Sequence, residues 1–334
     1  MLVIYLRLAL RTLECNDKYY SLKSKNLRQG ILYKMSYVLT LVASDKNNPV
    51  TEKHFKTIAT IIEHYNLHFT SKIIWLDKGK AGEATLSGGA QFSMIEHLRE
   101  TLAPFAIDFF ITKNENRRKK LLLADMDSTI ATSETLDELA EYAGIKDQIA
   151  EITTLAMEGK LDFHAALKER VGLLKGLKTT ALEATLQETK LSEGAEVFVA
   201  TMRKSGAACV LVSGGFTFFT GAIAERCGFN FNHGNTLEIN GESLTGEVIP
   251  PILDKYAKVD FLEHYMKDLT LKEEDCLTIG DGANDLPMLK RAGLGIGYHP
   301  KEAVKSEMAN CILYGDLTAA LYAQGISSKF FKTL

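Results

Sequence analysis

The sequence predicts an α/β protein: a Rossmann-like, mostly parallel sheet with a helical cap inserted into it, preceded by a smaller ferredoxin-like α+β module. Three observations predict this. The apolar run Leu121-Leu122-Leu123-Ala124 ends abruptly at Asp125-Met126-Asp127-Ser128-Thr129, as a buried strand does when it delivers polar groups to the edge of a sheet. From about 132 to 191 the pattern is helical, and strands then alternate with helices, which indicates a parallel sheet covered on both faces. Ahead of residue 113 the elements run β-α-β-β-α-β, the ferredoxin-like order.

The elements follow in chain order. Met1 to Leu10 is apolar but broken by Arg7, and far shorter than the ~20 residues that span a bilayer. Basic residues follow it, the reverse of a signal peptide. Residues 1–34 are therefore expected to be an extension outside the folded unit, with Met35 opening the first clean strand at 36–44. Asp45 to Pro49 is a turn cluster. Phe55, Ile58, Ile62 and Tyr65 recur at helical spacing. His68 to Asp77 reads as a second strand, Lys78-Gly79-Lys80 as a turn into a weaker third. Phe92, Ile95, Leu98 and Leu102 mark a second helix, and 105–112 a fourth strand. The module is thus 35–113. The polar run 114–120 reads as a solvated linker, and 121–334 as the larger domain with its cap at about 132–191. In that domain Ala207–Val212, 235–239, 244–249, 275–279, 293–297 and 311–314 are the later strands, with Asn240-Gly241 turning a hairpin.

With 334 residues and a net charge of -3, neither nucleic acid nor an anionic membrane surface is indicated as a partner. Five scattered cysteines include no CxxC pair, so neither a disulfide framework nor a zinc site is signalled. Reduced cysteines in the cytoplasm are the simplest account.

Polar groups gather at the predicted strand ends. Asp125 and Asp127 repel each other unless a cation lies between them or one is protonated; the alternative is an Asp-rich turn. Ser213 and Gly214 follow an apolar strand, and small residues there let backbone N–H groups approach a phosphate; the alternative is a plain strand-to-helix turn. Lys258 reads alone as a solvated helix lysine. Asn284 and Asp285, after Asp281, could each be a helix N-cap. Phe163, Leu167 and Arg170 share one helix face, so Arg170 must reach water or meet an anion.

Taken together, DMDST (125–129), AMEGKLDFHAALKERV (156–171), SGGF (213–216), Lys258 and GDGANDLPML (280–289) resemble the phosphatases of the haloacid dehalogenase superfamily. Within it they are similar to the phosphoserine phosphatase branch, over about Leu121 to Tyr314. The resemblance implies Asp125 as nucleophile and Asp127 as general acid and base. It implies Mg²⁺ held by Asp125, Asp281 and the backbone of Asp127, and phosphate bound by Ser213, Gly214, Lys258 and Asn284. Asp285 would pair with Lys258 or support the metal. Glu134 would meet the substrate amine and Arg170 its carboxylate, under Met157 and Phe163; otherwise the first two make surface salt bridges and the last two are core. The implied reaction is hydrolysis of phosphoserine. A phosphotransferase to a small alcohol such as homoserine, a phosphatase for another small monoester, and an amino-acid sensor with a degenerate phosphatase domain remain the alternatives. The module resembles ACT-like regulatory modules in element order and length, which implies amino-acid sensing or a homodimer contact.

Overall fold

The computed structural model describes residues 36–334, apart from 158–159, 255 and the side chains of 156, 157 and 163. The expectation for residues 1–34 lies outside these described residues. Strands β1 (Tyr37–Ala43), β2 (Ile74–Asp77), β3 (Ala81–Leu86) and β4 (Ile107–Lys113) form one sheet in the order β2-β3-β1-β4. Each neighbouring pair is antiparallel, which is the ferredoxin-like arrangement the element order predicts. Helices α1 (Glu52–Glu63) and α2 (Phe92–Leu102) cover one face of it. Phe55, Ile58 and Ile62 of α1 and Ile95 and Leu98 of α2 meet Leu39 and Leu41 of β1 in a closed core. That core follows from helical spacing on one side and alternation on the other.

The second strand is shorter than the sequence suggests. His68 to Ile73 runs beside the end of β3 without regular pairing. The Ser71 hydroxyl takes the Thr85 amide at 2.9 Å, in place of a backbone carbonyl.

The larger sheet has the order β11-β10-β9-β5-β6-β7-β8, and only β7 and β8 run antiparallel. Its strands are β5 (Leu121–Ala124), β6 (Ala208–Phe216), β7 (Phe231–Asn240), β8 (Ser243–Ile249), β9 (Cys276–Gly280), β10 (Leu294–Tyr298) and β11 (Cys311–Ile312). Leu121, Leu122 and Leu123 are fully buried, because a central parallel strand is covered on both faces. β11 stops at Ile312 rather than at 314. The next amides, Leu313, Tyr314 and Gly315, are taken by the Asp108 carboxylate of β4 instead.

Four helices make the cap between β5 and β6: α3 (Thr135–Tyr142), α4 (Lys146–Met157), α5 (Phe163–Gly172) and α6 (Thr179–Glu188). The chain reaches and leaves the cap along two adjacent threads. Ala131 and Leu191 form an antiparallel bridge, and the flanking bonds are Thr132 N–H to Lys190 O at 3.0 Å and Ser192 N–H to Ile130 O at 2.9 Å. Helices α7 (Ala195–Lys204), α8 (Thr217–Cys227), α9 (Ala257–Asp268), α10 (Leu286–Arg291), α11 (Glu302–Lys305) and α12 (Ala319–Tyr322) complete the described α-helices.

The basic run 114–120 is not simply solvated. Arg117 is largely buried and pairs with Glu83 of β3 at 2.7 Å, with a further bond to Ala323 O at 3.4 Å. Arg99 of α2 donates to Lys305 O at 2.8 Å. The four-stranded sheet is thereby hydrogen-bonded to the larger one at several points.

Candidate active site

Asp125 continues β5 by one ladder bond, its amide donating to Ile279 O at 3.0 Å. The chain then turns back in a single loop over Met126–Ile130, closed by the Ala131 amide on Met126 O at 2.8 Å. Met126 and Ile130 are fully buried and anchor the loop from below. Ser128 takes the left-handed conformation at its tip (φ +56°), a strain that clusters at functional sites.

Within this loop Asp127 is fixed by three donors. Oδ1 accepts from the Thr135 amide and hydroxyl, both at 2.8 Å. Oδ2 accepts from Ser213 Oγ at 2.7 Å. Ser213 Oγ in turn accepts from the Gly215 amide at 2.7 Å. Ser213-Gly214-Gly215 is not a turn after β6: the strand runs on to Phe216, with its register against β7 shifting between Val212 and Phe216. A side chain at Gly215 would stand 3.1 Å from Asp127 Oδ2, so glycine there keeps the carboxylate's place open.

Behind Asp125 lies Lys258, near the start of α9 and only 3% exposed. Its ammonium donates to Asp125 Oδ1 at 2.6 Å and to Asp285 Oδ1 at 2.5 Å. The reading of Lys258 as solvated is therefore set aside. Burial disfavours its charge, but the two carboxylates outweigh burial and hold its pKa above the usual lysine value. Burial and the neighbouring Asp285 charge push Asp125 well above the carboxylate range, against the pull of Lys258. Asp285 caps the Gly282 amide at 3.1 Å as well. A Cβ at Gly280 would lie 2.4 Å from Asp285 Cγ, so that glycine admits the carboxylate.

Asp125, Asp281 and Asp285 each offer an oxygen within 4.8 Å of the others, and all three residues are buried. An all-carboxylate set of this kind suits a hard divalent cation. Burial raises the Asp281 pKa, with Lys301 opposing it. Lys301 Nζ stands 3.1 Å from Asp281 Oδ2 and 3.5 Å from Glu134 Oε1. Removal from water, then the charge of Asp127, raises the Glu134 pKa.

A cavity of about 170 Å³ opens over these groups, lined on the core side by Asp125, Asp127, Ser213, Gly214, Asp281 and Asn284, and on the cap side by Glu134, Leu167 and Arg170. Arg170 has no ion-pair partner among the described residues; its Nε donates to Ala166 O at 3.3 Å. Burial lowers its pKa, yet a guanidinium stays charged. Met157 ends α4 and Phe163 opens α5, but their side chains lie outside the described residues. Sequence reasoning missed Thr135, which orients Asp127, and Lys301, which lines the cavity. Neither sits in a motif that marks it.

The profile of the haloacid dehalogenase-like hydrolases matches residues 122–290. The chain belongs to that family. An Archaeoglobus fulgidus protein named phosphoserine phosphatase is 42% identical over 190 residues, 57% of this chain and 55% of that protein. One of the same name from Methanocaldococcus jannaschii is 38% identical over 205 residues, 61% of this chain and 97% of that protein. A crystal structure of a family hydrolase from Salmonella enterica serovar Typhi has a TM-score of 0.74 at 30% identity, covering 86% of this chain and 98% of that one. The matched part spans about half the length of the first curated relatives. The chain places its carboxylates at the carboxyl ends of parallel strands. No described helix is long and apolar enough to cross a membrane.

Proposed function

We propose that this chain is a phosphoserine phosphatase, hydrolysing O-phospho-L-serine to serine and phosphate. The observation that carries this reading is the two-ended cavity: Asp125 and Asp127 at its floor, and at its roof Glu134 with Arg170, which has no ion-pair partner among the described residues. A phosphate group at the floor leaves a carboxylate for Arg170, which suits bidentate recognition, and an amine for Glu134. The names of the relatives support the same substrate.

In this reading an oxygen of Asp125 attacks phosphorus while the bond from phosphorus to the serine oxygen breaks. Asp127 supplies the proton that oxygen takes up, and serine leaves. Water then attacks the aspartyl-phosphate, Asp127 takes its proton, and Asp125 is released with phosphate. Lys258 keeps Asp125 in place and offsets its charge. Ser213 and Thr135 keep Asp127 aimed. The amides near Ser213 and Gly214, and Asn284, receive the phosphate oxygens. Asp125, Asp281 and the Asp127 backbone carbonyl would hold Mg²⁺, which when bound neutralises phosphate charge.

Four described cysteines are buried and unpaired, which supports a reducing, cytoplasmic setting. The edge strand β2, with Ile74 exposed, supports the module as a homodimer contact.

The test is phosphate release from a panel of small monoesters, with Mg²⁺ or with chelator. Phosphoserine should be preferred, and chelator should stop release. Equal rates on esters lacking a carboxylate would overturn the substrate, and phosphate passed to homoserine rather than water would overturn hydrolysis. Arg170→Ala should lower phosphoserine kcat/KM by about 30-fold or more, the loss of a desolvated charge partner at ~2–5 kcal/mol. An aryl phosphate without a carboxylate should be turned over as before. An equal drop on both substrates would make Arg170 structural.

A further inference from the structure

One segment joins the four-stranded module to the cavity. It begins at His299, directly after β10, and ends at Gly315. Asp108 of β4 is 2% exposed and accepts three consecutive amides of this segment: Leu313 at 2.8 Å, Tyr314 at 3.2 Å and Gly315 at 2.8 Å. The approach is close enough that a Cβ at Gly315 would lie 2.9 Å from Asp108 Oδ2. Gly315 O then accepts from His299 Nε2 at 3.0 Å. His299 also donates its amide to Ile312 O at 2.8 Å. It is held in the left-handed region, φ +39°, which a non-glycine residue adopts only when its surroundings impose it.

Two residues on, the Lys301 amide donates to Asp281 O at 2.9 Å. Its ammonium bridges Asp281, at a core strand end, and Glu134, at the foot of the cap's first helix. Among the described residues four carboxylates line the cavity, and Arg170 and Lys301 are the lining cations. An anionic substrate entering such a site depends on each of them.

We propose that Asp108, a residue of the non-catalytic module, is a positioning residue for the active site. By holding Gly315 and, through it, His299, it seats Lys301 between Asp281 and Glu134. The module thus completes the cavity. The kinetic part of this proposal rests on the phosphoserine reading; the structural part does not. Lys301 hydrogen-bonds to neither Asp125 nor Asp127 but does pair with Asp281, so its loss acts mainly on substrate binding and touches the chemical step only through Asp281. Asp108 acts through Lys301, so removing both costs no more than removing Lys301.

The experiment compares Asp108→Asn, Lys301→Met, their double variant and Tyr322→Phe. The last removes a different contact with the module, the Tyr322 hydroxyl on Asp77 at 2.6 Å. In the unliganded full chain, Asp108→Asn should speed hydrogen exchange of the Lys301 amide about tenfold, with β5 amides unchanged, and Tyr322→Phe should not. KM for phosphoserine should rise about 3- to 10-fold in Asp108→Asn and Lys301→Met, by a larger factor than kcat falls, and Asp108→Asn should add nothing on the Lys301→Met background. Unchanged Lys301 exchange, or the same KM factor on both backgrounds, overturns the proposal. If the wild-type chain releases no phosphate from phosphoserine, the functional reading fails and exchange alone decides the positioning role. Should Asp108→Asn not fold, Gly315→Ala disturbs the same contact from the other side.

Discussion

Asp125→Asn is expected to fold as the wild-type chain does and to release phosphate about a thousandfold more slowly or worse. Asparagine keeps the side chain's shape, and its carbonyl oxygen can still accept from Lys258. What it cannot do is form an acyl-phosphate. No other described carboxylate can replace it at the floor of the cavity. Asp127 is held by Thr135 and Ser213, Asp281 is paired with Lys301, and Asp285 lies behind on Lys258. The measurement is a single-turnover assay, with intact mass recorded to exclude deamidation. More than about a tenth of wild-type rate would place the nucleophile elsewhere.

Lys258→Met should damage both chemistry and fold. The substitution leaves Asp125 and Asp285 buried with no cation between them, and breaking a buried pair from one side costs about 3–5 kcal/mol. The pH dependence has a definite sign. Lys258 has its pKa raised in the folded state, so its stabilising contribution is complete at every pH below about 10.4. In the variant Asp125, already pushed up by burial and by the Asp285 charge, relieves the repulsion only by taking up a proton, and loses that relief as pH rises. The gap in Tm between variant and wild type, measured in chelator, should therefore be wider at pH 8 than at pH 5. Equal Tm values at pH 8 would show that the pair does not support the fold.

What could be read from the sequence was what physics makes local. The run 121–124 is a central strand with no solvent face, so it appears as an unbroken apolar stretch that stops where polar chemistry starts; 276–280 is as buried and is interrupted only by Thr278, whose hydroxyl bonds Met288 O. The cap helices appear through their spacing, and Arg170 through its place on an otherwise apolar face. Lys258 drew attention only through family likeness, since its burial is created by two carboxylates 27 and 133 residues away. Thr135, Lys301 and Asp108 left no local trace at all. Thr135 acts across the entry to the cap, eight residues from Asp127, whereas Lys301 and Asp108 act by contacts between segments far apart in the chain. The false length of the second strand has the same origin: Ser71 offers a side-chain oxygen where the alternating pattern promises a backbone one.

The paired threads at Ala131 and Leu191 have a consequence for ancestry and engineering. A stretch of some sixty residues leaves the core and returns to it at almost the same place, so the ends it must satisfy are already neighbours. Exchanging that stretch for a longer or shorter one changes the closure entropy only slowly, by about 0.6 kcal/mol per doubling of length. The lineage can therefore trade one roof for another while inheriting the floor unchanged, and a designer can graft a foreign roof at the same two threads.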